Sequence, residues 1–365
     1  MITNRKKQIV VFACMIGCIW IFTAATVKTK TNPSPRKVIF MIGDGMGLAQ
    51  ISGAMSQYKG INAFERFSHV GLSRTHSADD YVTDSGAGAT AFSIGKRTYN
   101  NAIGVGKDSV SYPNLFELVK QKHGWSTGVA VTSSVVHATP ASFYAHVKHR
   151  RKYEEIAEHM LKGNCDVAIG GGYKFFEQRK DKRSILSELR QMGYTTSTDS
   201  LTWRTIDASK LVYLHAYDGL PSMLNGRKDF LNRATQLAIS NLSKNDKGFF
   251  LMVEGSQIDW GGHEMNYEYM QSELWDFNET INAVLDYAKK QGDVLVVVTA
   301  DHETGGLALT ENEHNRTTFL PKYTYNEHTG VMVPVFAYGP GSERFSGVYD
   351  NTALFDKLVD LLHLK

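Results

Sequence analysis

Cysteine is scarce in this chain: there are three in 365 residues. Cys14 and Cys18 stand in an apolar run near the start, which leaves Cys165 alone in the remainder. An internal disulfide is therefore excluded beyond that run, and a chain of this length can build its core without covalent staples. Cys165 reads as a small buried hydrophobe rather than a reactive thiol. Charge of one sign is also lacking. The formal net charge is +3, so nothing marks the chain for nucleic acid. Internal repeats and low-complexity tracts are missing, and no linker follows Pro35. Residues 36–365 accordingly read as one domain, with an ordinary apolar fraction of 42% and charged fraction of 21%.

The start of the chain has a different character. Arg5, Lys6 and Lys7 precede an apolar run from about Ile9 to Val27, with small residues at Ala24 and Ala25 and a polar stretch to Pro35. This order is that of an export signal, with residues 1–35 as leader and short linker. An uncleaved anchor is the alternative, because the run approaches the length of a membrane span. Lipid attachment at Cys18 is a third option. Removal of the leader takes three basic residues and leaves no net charge. The expected location is periplasmic or secreted, with membrane contact only through this segment.

From Lys37 onward, apolar runs alternate with helical patterns. Strands are expected at Lys37–Ile42, Thr127–Thr132, Asp166–Ile169, Phe249–Val253, Val294–Thr299 and Val331–Tyr338. Helices are expected at Tyr112–His123, Tyr153–Lys162, Arg183–Met192, Asp229–Leu242, Tyr267–Gln291 and Thr352–His363. Continuous apolar strands suit a sheet covered on both faces. The fold class is therefore α/β, a layered sandwich with a mostly parallel central sheet flanked by helices. Glu311 to Asn326 is polar and irregular, as a surface excursion would be.

Acidic and histidine residues gather just past the expected strands. Asp44 follows the first, Glu254 follows Phe249–Val253, and Asp301 with His302 follows Val294–Thr299. Ligands of open α/β sheets bind beyond the carboxyl ends of the strands, so these segments aim at one crevice. A lone Asp there is usually a cap or turn residue; several together weaken that reading. Asp259 and His263 are spaced i, i+4, which places both on one helical face as a metal clamp needs. His328 precedes the last strand. Carboxylate with imidazole favours zinc, and carboxylate with hydroxyl favours magnesium. Ser85 opens a helix of small residues. It is either a cap or a nucleophile needing activation, and with no base nearby in sequence a metal is the expected activator. Gly43-Asp44-Gly45-Met46-Gly47 fails the dinucleotide fingerprint, because Leu48 stands where a glycine is required.

Six ordered segments carry these residues: FMIGDGMG at Phe40–Gly47, YVTDSGAGATAFSIGKRTYN at Tyr81–Asn100, HATPASFYAHVKHR at His137–Arg150, VEGSQIDWGGH at Val253–His263, TADHETGG at Thr299–Gly306 and EHTG at Glu327–Gly330. Together they resemble the alkaline phosphatase family, over about Val38 to Pro340. The resemblance implies hydrolysis of phosphate monoesters through a phosphoserine on Ser85. It implies Asp259, His263 and His328 as ligands of one zinc, and Asp44, Asp301 and His302 as ligands of a second. Asp44, Thr139 and Glu254 are implied at a third site, commonly magnesium. Arg150 resembles the phosphate-gripping arginine, preferred to the adjacent Arg151 on its spacing of four residues from His146. A homodimer is also implied. His137 and Trp260 depart from the best-known bacterial members, which carry aspartate and lysine there, and His137 shifts the third site toward zinc or cobalt. The chain is shorter than those members, which places a reduced insert around Glu311–Asn326. A related phosphodiesterase or sulfatase-like hydrolase is the alternative activity. An exported phosphate- or metal-binding protein without turnover is the alternative of another class.

Overall fold

The computed structural model describes residues 34–198 and 204–365; the leader reading lies outside them for residues 1–33. Fourteen strands occur among the described residues: β1 Lys37–Gly43, β2 His69–Arg74, β3 Ser126–Ser134, β4 Val167–Gly171, β5 Thr195–Ser197, β6 Leu211–Leu214, β7 Phe249–Gly255, β8 Val294–Thr299, β9 Glu303–Thr304, β10 Ala308–Glu311, β11 Phe319–Lys322, β12 His328–Thr329, β13 Val333–Tyr338 and β14 Gly347–Asp350. The helices are α1 Leu48–Ser56, α2 Ser85–Ile94, α3 Leu115–His123, α4 Ala138–Ala141, α5 Tyr153–His159, α6 Tyr173–Glu177, α7 Ile185–Gln191, α8 Phe230–Leu242, α9 Gln257–His263, α10 Tyr267–Gln291 and α11 Thr352–Leu361.

Ten strands form one sheet in the order β14-β2-β13-β8-β1-β7-β3-β4-β6-β5. Only β13 runs against its neighbours, β8 and β2. The central strands are apolar on both faces because both are covered. Phe40 points to one side, with Phe92 and Phe250, while Ile39 and Met41 point to the other. Helices α2, α3, α5, α7 and α11 cover the first face; α1, α8 and α10 cover the second. The three-layer expectation holds.

The expected strands and helices are all present, with ends moved by a few residues. Pro113 and Asn114 delay α3 to Leu115, where Asn114 caps it and forms a capping box with Glu117. The segment expected to be irregular contains a hairpin, because Ala308–Glu311 pairs with Phe319–Lys322. His328 does not merely precede a strand: it lies in β12, paired with Thr304 on β9.

The centre of the sheet fixes where the acidic segments converge. Strand β1 pairs in register with β7 on one side and β8 on the other, Ile42 facing Glu254 and Thr299. The segments after β1 and β8 and the end of β7 therefore emerge side by side.

Candidate metal centre and active site

The loop after β1 is pinned before it turns. Asp44 N donates to Gly255 O at 3.2 Å, and Gly45 N donates to Asp301 Oδ1 at 3.3 Å. Gly45 has φ +73, and a Cβ there would lie 2.7 Å from Thr304 Oγ1 and 2.8 Å from Asp259 Cα. Only glycine lets Asp44, Asp259 and Thr304 approach so closely.

Two groups of donors result, with His302 in both: Asp259, His302 and His328, and Asp44, Asp301 and His302. His302 Nε2 is 3.3 Å from Asp301 Oδ2 and 3.5 Å from Asp44 Oδ1. His328 Nε2 is 3.5 Å from Asp259 Oδ1, and His263 Nε2 is 3.4 Å from the same oxygen. Asp259 and His263 share one face of α9, as their spacing predicts. Thr139 Oγ1 reaches Asp44 Oδ2 at 3.5 Å. Glu254 Oε2 accepts from Ser256 Oγ at 2.6 Å and Ser133 Oγ at 3.2 Å.

The histidine tautomers are set by their outer contacts. His263 Nδ1 lies 2.7 Å from Asn326 O and His328 Nδ1 lies 2.9 Å from Thr83 O, so each must donate there. His302 Nδ1 lies 3.2 Å from Thr304 Oγ1, whose own proton goes to Asp259 Oδ1 at 2.5 Å. All three Nε2 lone pairs therefore face the site. Those of His263 and His328 face each other at 3.1 Å, an arrangement that calls for a proton or cation between them. Asp44 Oδ1, Asp301 Oδ2 and Glu254 Oε1 are buried without a hydrogen-bond partner. Oriented imidazoles, orphaned carboxylate oxygens and a hydroxyl form a donor set that fits divalent cations.

The electrostatics agree. Burial pushes the Asp44 carboxyl well up, and repulsion from Asp301, Asp259 and Glu254 adds to it. Burial raises Glu254 to about 7 and Asp301 to about 6. Burial also disfavours the Asp259 anion, but hydrogen bonding and charge from His328, then His302 and His263, hold it down. Carboxylates crowded in this way lack counter-charge, which bound cations supply.

Ser85 is the first residue of α2, but it is not the cap. Asp84 takes that role by accepting from Ala87 N at 2.9 Å. The Ser85 hydroxyl is therefore free to face His302 Nε2, at 3.3 Å, where the two donor groups meet. Across the opening, Arg150 Nη1 donates to Asp84 Oδ2 at 2.7 Å. Burial disfavours the Arg150 charge, but Asp84 outweighs this and holds it protonated. Ser85, Arg150, Arg151, Tyr153, Asp259 and His328 are among the residues lining a cavity of about 340 Å³. His137 is half-buried, with its Nδ1 buried and unpartnered, and desolvation lowers its pKa to about 3. The half-buried Trp260 meets it edge-on at 6.3 Å.

Three residues of the site escaped the sequence reading. Asp84 was indistinguishable from an ordinary cap, although it directly precedes Ser85. Thr304 carries no ligand-type signal of its own beside Asp301 and His302, which come just past an apolar strand. Glu303 accepts from Gln50 Nε2 at 2.6 Å and from Thr329 Oγ1, which ties β9 to β12 beside His328.

Residues 35–322 match the sequence profile of a family described as alkaline phosphatase. The chain belongs to this family. Alkaline phosphatase 4 of Bacillus subtilis is 33% identical, covering 90% of this chain and 89% of the relative. The alkaline phosphatase of Escherichia coli is 30% identical over 94% of this chain and 89% of its own. The structure of alkaline phosphatase from the Antarctic bacterium TAB5 superposes with a TM-score of 0.88 at 43% identity, covering 91% of this chain and 98% of that one. A variant of the TAB5 enzyme with a histidine replaced by aspartate was solved with Mg bound in its M3 site. The chain is thus a phosphoric monoester hydrolase of bacterial type with metal sites.

Proposed function

We propose that Ser85 is the nucleophile and that Arg150 grips the phosphate. The observation carrying this reading is the Ser85 hydroxyl, released from capping and facing His302 at the junction of two donor groups, with a charged guanidinium across the opening. Ser85 Oγ gives up its proton to solvent and forms a bond to phosphorus as the ester bond breaks. The alcohol departs with a proton from solvent, and a phosphoserine remains. Water then attacks that phosphorus, and inorganic phosphate leaves with the Ser85 hydroxyl restored. Arg150 presents two parallel N–H donors to non-bridging oxygens, a geometry lysine does not offer.

Asp259, His263 and His328 would hold one zinc, Asp44, Asp301 and His302 a second, and Asp44, Thr139 and Glu254 a magnesium. When bound, such a pair of zinc ions supplies Lewis-acid stabilisation of the attacking and leaving oxygens. The unpartnered imidazole of His137 favours zinc or cobalt at the third site. Magnesium in the TAB5 variant that exchanges histidine for aspartate supports that reading. The catalytic domain is taken as residues 36–365.

Ser85→Ala should lower kcat by about four orders of magnitude with the fold intact. Acid quenching during turnover of wild type should trap one phosphate per chain on serine, and a mutant of undiminished activity would remove the assignment. Comparison of monoester, diester and sulfate ester rates tests the substrate class. The family resemblance also supports export and a homodimer. N-terminal sequencing of exported protein tests the first, and light scattering tests the second. Among the described residues, no helix is long and apolar enough to cross a membrane.

A further inference from the structure

We propose that His146 is a positioning residue that sets the distance between Arg150 and the helix bearing Ser85. The inference rests on the reading of Arg150 as the phosphate grip. His146 is nearly buried, four residues before Arg150, and touches none of the donor groups. Its Nδ1 lies 2.6 Å from Gly104 O and therefore donates there. Its Nε2 is 3.1 Å from both carboxylate oxygens of Glu117 and 3.3 Å from Asn114 Nδ2. Glu117 and Asn114 are the two halves of the α3 capping box. Asn164 Nδ2 also donates to Glu117, at 3.0 Å. The ring is thus anchored on a rigid helix start and presses on a single carbonyl.

That carbonyl belongs to the segment joining the two halves of the site. Gly104 N donates to Thr90 Oγ1 on α2 at 3.0 Å. Ile103 and Val147 exchange backbone hydrogen bonds of 2.9 and 2.8 Å. At the other end, Arg150 N donates to Asn101 O at 2.7 Å, and Asn101 N donates to Asp84 Oδ1 at 3.0 Å. Residues 101–104 therefore lie as a strip between α2 and the 145–150 segment. His146 clamps one end, and Asp84 with Arg150 closes the other. Gly104 has φ +59, and a Cβ there would stand 2.1 Å from Ala145 O and 3.0 Å from His146 Nδ1. The backbone conformation at 104 thus admits this contact only with glycine.

The test is a double-mutant cycle on the metal-loaded enzyme, with metal content and Tm measured for each variant. His146→Ala should reduce kcat/KM for a monoester and weaken inhibition by inorganic phosphate, each by about tenfold, as a displaced oxyanion donor does. In the Arg150→Ala background the same substitution should change neither by more than about twofold. The full loss persisting in that background, or no loss with Arg150 present, overturns the inference. Should His146→Ala not fold, Glu117→Gln takes its place in the same cycle, with the same pattern at a smaller factor. Arg150→Ala alone leaving phosphate inhibition unchanged would instead remove the underlying reading of Arg150.

Discussion

Thr304 shows how much the site owes to side chains that are not themselves donors to a cation. Its hydroxyl gives a proton to Asp259 and faces His302 Nδ1, so one atom orients donors in both groups. Thr304→Val keeps the shape and removes both contacts. Zinc affinity should fall about 10- to 100-fold, measured by competition with a chromogenic chelator. His137 is the other informative position. Its buried, unpartnered nitrogen predicts that His137→Asp shifts the third cation toward magnesium, read by elemental analysis after dialysis against mixed metals. Asp44 and Asp301 were legible in the sequence because each follows an apolar run. Asp84 was not, because one residue both caps α2 and pairs with Arg150, and the capping signature hides the second role.

Strand β1 bears Asp44 into the site and is held by aromatic packing below it. Phe40 sits 5.7 Å from Phe92 and 5.9 Å from Phe143, ring centre to ring centre. Phe40→Ala should cost about 3–5 kcal/mol of stability, measured by urea unfolding. Helix α3 gives a pH-dependent counterpart. Burial pushes the Glu117 carboxyl up, but hydrogen bonding and charge from His146 outweigh it and hold it below its ordinary value of 4.5. A depressed carboxyl stabilises the fold above its unfolded pKa, and that contribution is lost as pH falls through the folded value. Glu117→Gln should therefore flatten the fall in stability below about pH 4.5, seen by thermal unfolding across pH 3 to 6. The buried central strands and the long helix α10 were legible from their apolar runs and helical period. β2, β5, β6 and β14 were not: β5, β6 and β14 span only three or four residues, and β2, β5 and β14 keep partly exposed residues, so their pattern carries little contrast. The antiparallel run of β13 was hidden too, because an apolar strand reads alike in either direction.

At the scale of the molecule, the crowded carboxylates couple cations to folding. In metal-stripped protein the raised Glu254 and Asp301 groups, at about 7 and about 6, resist ionisation in the fold while the unfolded chain ionises earlier. The stability of the stripped form should therefore fall as pH rises from about 4 to 7, and zinc with magnesium should restore it. Calorimetry with and without chelator checks this; a stripped protein whose Tm ignores pH in that window would contradict it.

The in-register pairing of β1 between β7 and β8 has one more consequence. Adjacent strands lie about 4.8 Å apart, so the hydrogen-bond ladder acts as a ruler for the anionic groups at their ends. The spacing of Asp44, Glu254 and Asp301, which would hold the second and third cations, is thereby metered by backbone geometry, the same in every copy and indifferent to loop length. Lengthening or trimming the β10–β11 hairpin should leave that spacing untouched, whereas a one-residue slip of β1 would displace Asp44 and so spoil both of the cation sites that use it.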